Sequence, residues 1–489
     1  MLLDEPLIFE RGARGRDGWQ VPGEGDSAEF GLPPELRRED DLAGLPEVGE
    51  LEVVRHFVRL SQWNLSAAST FYPLGSCTMK YNPVVNEELA RLPGFANLHP
   101  LVPDALAQGM LELLDALQRA LLAVCGLDAI TLQPAAGAQG ELTGMLMVRA
   151  YHVARGNPRR RVLIPGSAHG TNPASSALCG YEVTEVPMGA QGVLEASAVA
   201  AAMGDDVAAL MVTNPNTLGI FESEIEAIAA AVHAQGGLVY MDGANMNALM
   251  GVAKPADMGV DVMQYNLHKT FSTPHGGGGP GAGPVAVRAC LEPFLPVPRL
   301  VRRDGGLAWS DDFPQSVGRV RSFFGNVGIL VRALGYMERM GGPGLEEATR
   351  LAILNANYLR ARLRADYHLA SETPALHECV FSDRAQQEYG VTTLDIAKRL
   401  LDHGFYAPTI YFPLVVRGAL MIEPTETETK ATLDEFVAAM HAIAEEARLD
   451  PATVRGAPHR TRIARLDETR AARRPVLRWR PSAEVAGKH

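Results

Sequence analysis

Lys269 stands in QYNLHKTFSTPHGGGGPGAGPV (264–285), between an apolar run and four consecutive glycines, with His268 beside it. A lysine amine becomes a useful nucleophile when its surroundings lower its pKa or when an aldehyde captures it as an imine; otherwise it is a solvated surface cation. Three other places carry chemistry of a kind that could meet it. Asp242 closes the apolar run GLVYMDG, and a carboxylate at that depth needs a partner, because an unpaired buried charge is costly. A protonated ring nitrogen would serve, and so would a cluster of backbone N–H groups. Ala244, two residues on, is small enough to let a flat ring lie close. His169 follows the apolar run RVLIPG, where an imidazole either stacks on a planar group or bonds to a loop carbonyl. In PAAGAQGELTGMLMV, small residues lead into a helix, so a phosphate would fit over the N–H groups of Gly137, Ala138 and Gln139. A plain helix start reads the same, and the stretch is neither a P-loop nor a dinucleotide fingerprint.

One cofactor explains the four together. Pyridoxal phosphate would put its phosphate on the glycine-started helix, His169 on a ring face, Asp242 on the ring nitrogen and Lys269 on the aldehyde. Glycines 276–279 then read as a pliable segment near that cofactor.

These residues need a scaffold that ends strands at one place. RVLIPG, VAALMVT, GLVYMDG and VDVMQYN are strand-length and end in turn residues, whereas DALAQGMLELLDALQRALLAV has helical apolar spacing. Their alternation predicts a mostly parallel α/β sheet covered on both faces, with ligands at the carboxyl ends of its strands. Residues 1–95 read as an N-terminal arm and an active-site loop segment, 96–340 as the large domain, 341–450 as a smaller α+β domain and 451–489 as an Arg-rich tail that is solvated or touches a subunit.

The 489 residues carry a net charge of −12, which argues against nucleic acid or an anionic membrane as partner. Five scattered cysteines suit a reducing compartment, and no uncharged run reaches spanning length. The chain reads as cytoplasmic.

The stretches YPLGSCTMKYNP, QPAAGAQGE, SAHGTNPAS, VTNPNTLGIFE, YMDGANMNA, NLHKTFSTPHGGGGPG and ALMIEPTETETK resemble the carboxyl-terminal half of glycine decarboxylase, the P-protein of the glycine cleavage system, from about residue 45 to 480. The resemblance implies a fold type I pyridoxal-phosphate enzyme with a seven-stranded sheet. It implies the second subunit of the split form, working with a related first subunit as a heterodimer of dimers. By similarity Lys269 is the imine lysine, Asp242 pairs with the pyridine nitrogen, His169 stacks on the ring and Asn214 lies near the phenolic oxygen. Asn266 and His268 would touch phosphate or substrate, and Ser76, Cys77 and Thr78, with Lys80, would contact substrate or form a structural loop at the mouth of the site. Arg319 and Arg321 are candidates for the glycine carboxylate, alongside surface roles. The implied reaction is decarboxylation of glycine with transfer of the aminomethyl group to the lipoyl arm of the H-protein. Rival readings are another fold type I amino-acid decarboxylase, aldolase or aminotransferase, and a non-catalytic interaction subunit.

Overall fold

The computed structural model describes residues 5–13, 15–16, 33–36, 45–275, 281–303 and 305–479. The glycine run 276–279, read above as pliable, lies outside them, as does part of the N-terminal arm. The chain forms two compact units, Met1–Ser66 with Arg460–His489, and Ala67–His459. In the first, the helix Glu50–Ser61 presents His56 and Arg59 to the buried carboxylate of Glu5, at 2.8 and 3.0 Å.

In the second unit, β1 (Ala129–Thr131), β2 (Arg161–Pro165), β3 (Glu182–Val186), β4 (Val207–Thr213), β5 (Leu238–Gly243), β6 (Val262–Tyr265) and β7 (Val285–Val287) form one sheet in the order β1-β7-β6-β5-β4-β2-β3. Pairs β2–β3, β2–β4, β4–β5 and β5–β6 are parallel, and β7 runs antiparallel to both neighbours. Alternate residues of one strand enter different cores: Leu210 and Val212 join Met110 and Leu114, while Ala209 and Met211 join Met145 and Val148. Both faces of the central strands β4 and β5 are therefore buried, which is why they read as unbroken apolar runs rather than alternating ones. Register aligns Thr213, Asp242 and Gln264 across β4, β5 and β6 at their carboxyl ends.

Gly243 closes β5 against β6. A Cβ there would stand 2.1 Å from the Gln264 carbonyl oxygen, an overlap that only backbone movement relieves. Gly243→Ala should destabilise the protein by about 1–3 kcal/mol, as overpacking does. Denaturant unfolding would show it, and an unchanged midpoint would mean that β5 and β6 separate freely.

After the hairpin β8 (Arg299–Arg303) and β9 (Gly306–Ser310), the helix Val327–Leu363 bends at Gly341, whose φ is 61°. Its second half packs with the helices Thr393–Asp402 and Lys430–Leu449 on a core containing Leu359, Phe381, Leu400 and Phe436. That core also takes one face of an antiparallel sheet built from β10 (His368–Leu369), β11 (Cys379–Ser382), β12 (Thr409–Ile410) and β13 (Ala419–Ile422), in the order β10-β11-β13-β12.

Candidate active site

The carboxyl ends of β4, β5 and β6 open on a cavity of about 240 Å³ whose wall includes Asp242, Lys269, His169, Ala244, Asn266 and His268. Asp242, only 3% exposed, sits on its floor. Its Oδ1 accepts from the Ala244 N–H at 3.0 Å and from the Gln264 amide, and its Oδ2 accepts from Asn172 Nδ2 at 3.3 Å. Three donors thus fix the orientation of the carboxylate.

Lys269 lies in the short helix Leu267–Thr270, which directly follows β6. Its Nζ donates to the Ser76 carbonyl at 2.8 Å. With the Asn266 amide oriented to satisfy both its ends, the Asn266 oxygen accepts from the same Nζ at 3.2 Å. His169 Nδ1 lies 2.8 Å from Thr171 Oγ1, and burial lowers the imidazole pKa, assisted by the Lys269 charge and opposed by Asp242. His268 is pushed down to about 3 by burial and by neighbouring His275, while its Nδ1 accepts from the Ala282 N–H at 3.3 Å. Both rings are neutral at physiological pH.

Above this floor, the helix Gly137–Ala154 points its amino end into the cavity through Ala136, Gly137 and Ala138, and no side chain caps it. The approach needs glycines on both sides. A Cβ on Gly137 would stand 2.4 Å from the Asn266 side-chain amide, and one on Gly283 would stand 2.0 Å from the Ala136 oxygen. Thr213 Oγ1, also on the wall, is buried without a hydrogen-bond partner. Free N–H groups, a helix dipole and an orphan hydroxyl together suit a phosphate.

The sequence did not single out Glu141, one turn along the helix from Gly137. It accepts from Thr171 Oγ1 at 2.8 Å and from Asn172 Nδ2 at 2.9 Å, so Asn172 bridges it to Asp242. Burial and the Asp242 charge push its carboxyl up to about 7. The available signal was a single acid in the small and apolar stretch GAQGELTGMLMV. Because its ordinary pKa is 4.5, the folded apoprotein keeps a proton that the unfolded chain releases, and stability falls as pH rises from about 4.5 to about 7. Glu141→Gln should flatten that slope by up to one proton, about 1.4 kcal/mol per pH unit. Denaturant titrations of the apoprotein at both ends of the window would read it, and an unaltered slope would refute it.

Several expected residues are not in the wall. Gln139, expected to offer its N–H, spends its side chain on the Ala135 N–H at 2.7 Å and the Val320 carbonyl at 2.8 Å, which fastens the loop that leads into the helix. Asn214 turns away: its Oδ1 accepts from the Glu222 N–H at 3.0 Å and its Nδ2 faces Met258 Sδ. Thr213, Thr217 and Asn245 occupy that side. Of the loop residues, Ser76 reaches the cavity, whereas Cys77 Sγ rests 3.3 Å from His275 Nε2 and Thr78 Oγ1 donates to Glu423 at 2.5 Å. Lys80 is buried on Glu426 at 2.6 Å and Asn247 at 2.9 Å. Arg319 is held by Asp311 at 2.9 Å and Arg321 by Asn326 at 3.0 Å, both outside the wall. A larger hollow of about 510 Å³, lined by Val124, Val252, Met337 and Leu345 among others, includes none of the candidate site residues.

A parallel sheet presenting lysine, aspartate and a helix amino end at one edge, with a smaller α+β lobe, is the fold type I architecture. It matches aspartate aminotransferase from Thermus thermophilus with a TM-score of 0.57 at 15% identity, covering 77% of this chain and 99% of that one. A crystal structure of glycine decarboxylase, the P-protein of the glycine cleavage system, in inhibitor-bound form, superposes with a TM-score of 0.71 at 21% identity, covering 84% of this chain and 93% of that one. Residues 25–302, more than half of the chain, match the family described as glycine cleavage system P-protein, and residues 348–456 match the glycine dehydrogenase C-terminal domain. A probable glycine dehydrogenase (decarboxylating) subunit 2 from Listeria welshimeri is 52% identical over 98% of this chain and 99% of its own length. The chain belongs to the glycine cleavage system P-protein family. Among the described residues, no helix is long and apolar enough to cross a membrane.

Proposed function

We propose that this chain is the catalytic second subunit of a glycine decarboxylase, acting with a related first subunit. It would bind pyridoxal phosphate, release carbon dioxide from glycine and pass the aminomethyl group to the lipoyl disulfide of an H-protein. The observation that carries this reading is the convergence of Lys269, Asp242 and His169 with an uncapped helix amino end in one cavity.

The residues present fit the cofactor. Gly137 and Ala138 would hold its phosphate on backbone N–H groups, with Thr213 Oγ1 gaining the partner it lacks. His169, neutral and flat, would cover one ring face. Lys269 would carry the tethering amine. When bound, pyridoxal phosphate supplies the sink for the electrons released as carbon dioxide departs. Asp242 would keep a proton on the ring nitrogen, an attraction strengthened by burial and by three donors that leave the carboxylate no freedom to turn. Ser76 and Asn266 would accept from the lysine amine whenever it is free.

With its first subunit and a lipoylated carrier, the chain should release labelled carbon dioxide from carboxyl-labelled glycine, and release should depend on the carrier. Faster transamination or aldol cleavage by the same preparation would assign it to another reaction of the same fold.

A further inference from the structure

Behind Lys269 stand buried groups that the proposed chemistry leaves unused. His377, Glu378 and Glu423 are each 0% exposed, and their polar atoms lie within 4.8 Å of one another. Register explains the meeting: Cys379 of β11 pairs with Ile422 of β13, so Glu378 and Glu423 emerge side by side. Burial raises Glu378 to about 7 and Glu423 well above the ordinary carboxyl range, and drops His377 to about 3. The Glu378 charge adds to burial in raising Glu423, so the two carboxyls resist ionising together.

One oxygen of each acid grips the segment that carries Ser76. The Ser76 N–H donates to Glu378 Oε2 at 2.8 Å, and Thr78 Oγ1 donates to Glu423 Oε1 at 2.5 Å. The same segment is fastened along its length to the smaller sheet. Leu74 bridges Ile422, the Gly75 carbonyl accepts from Thr409 Oγ1 at 2.6 Å, and Tyr72 stacks on Tyr406 at 3.8 Å. Gly75 lies so close that a Cβ would stand 2.2 Å from Met421 Cγ. Ser76 itself has a φ of 61°, the left-handed region that disfavours side chains. It needs an anchor, and its carbonyl is what receives Lys269 Nζ.

We propose that Glu378, with Glu423 as its companion, is a positioning residue: it locks Ser76 so that the Ser76 carbonyl holds the Lys269 amine whenever that amine is free. The smaller lobe thereby aims the lysine of the larger one. The consequence for turnover rests on the reading of Lys269 given above. Once glycine displaces the lysine, the amine waits on Ser76, and a slack loop slows its return while leaving glycine binding largely intact.

Cys77, next to the anchor, reports the loop without any cofactor. Its thiol is mostly buried and its pKa is raised by that burial. In the apoprotein, Glu378→Ala should speed alkylation of Cys77 by iodoacetamide about tenfold or more, as local opening does. In the loaded enzyme the same change should lower kcat for carbon dioxide release about tenfold with KM for glycine within about threefold. Glu378→Gln, which still offers an oxygen to the Ser76 N–H, should recover most of both. Wild-type Cys77 labelling in a folded Glu378→Ala protein would overturn the proposal. So would a Glu378→Gln protein whose Cys77 reacts at least tenfold faster than wild type, an arm that stands even if the alanine variant does not fold. Because labelling is read on apoprotein, it succeeds or fails independently of whether glycine is the substrate.

Discussion

Lys269→Ala will lose the visible absorption band of the lysine-bound cofactor and at least about a thousandfold of carbon dioxide release, the scale expected when a covalent catalytic group is removed. The loss follows from position. The amine projects into the cavity from the first turn after β6, and its acceptors, the Ser76 carbonyl and the Asn266 amide oxygen, are a main-chain group and an amide that cannot themselves capture an aldehyde. Among the described residues that line the cavity, no second lysine is available to substitute. Borohydride trapping followed by peptide mass spectrometry provides the check. A pyridoxyl adduct on any peptide other than the one containing position 269, or a persistent band in the alanine variant, would remove this lysine from the mechanism.

Asp242→Asn will keep the shape of the floor and lose its charge. An asparagine can still accept from the Ala244 N–H and the Gln264 amide through its oxygen, but a neutral amide no longer favours a proton on a ring nitrogen held opposite it, and Asn172 would face an NH2 that also donates. Turnover should fall about a hundredfold or more, with cofactor still bound, because a buried carboxylate acts on the reaction chiefly by stabilising the charge that develops beside it. Stopped-flow carbon dioxide release alongside equilibrium cofactor titration separates the two quantities. Near-normal turnover would show that the carboxylate is structural, serving only to order Ala244 and Asn172.

The scaffold was legible because its signals are local. Apolar runs of strand length, such as VAALMVT and GLVYMDG, announce a doubly covered sheet, and the polar residue that ends such a run must lie at its edge. That is how Asp242, Lys269 and the Gly137 helix start stood out. What sequence spacing missed was set by direction. Asn214 sits at the right place along the chain, yet its amide is taken by the Glu222 N–H and Met258 Sδ, and only the three-dimensional hydrogen-bond pattern reveals it. Glu141 was hidden by the opposite circumstance: a lone acid in a small and apolar helix stretch is a signal, but nothing local says that it meets Thr171 and Asn172 from another helix. Glu378 and Glu423 lie 45 residues apart (423 − 378) and meet through strand register, a long-range fact that no short motif encodes.

The hydrogen bonds that tie Ser76 and Thr78 to the smaller sheet span 302 and 345 positions of sequence. A chain emerging from the ribosome therefore possesses its lysine and its phosphate cradle well before it possesses either glutamate that steadies the lysine's resting place. The fastening can form only once the chain has been made through residue 423, so the loop's hold on the lysine depends on the completed smaller sheet rather than on anything local to the loop.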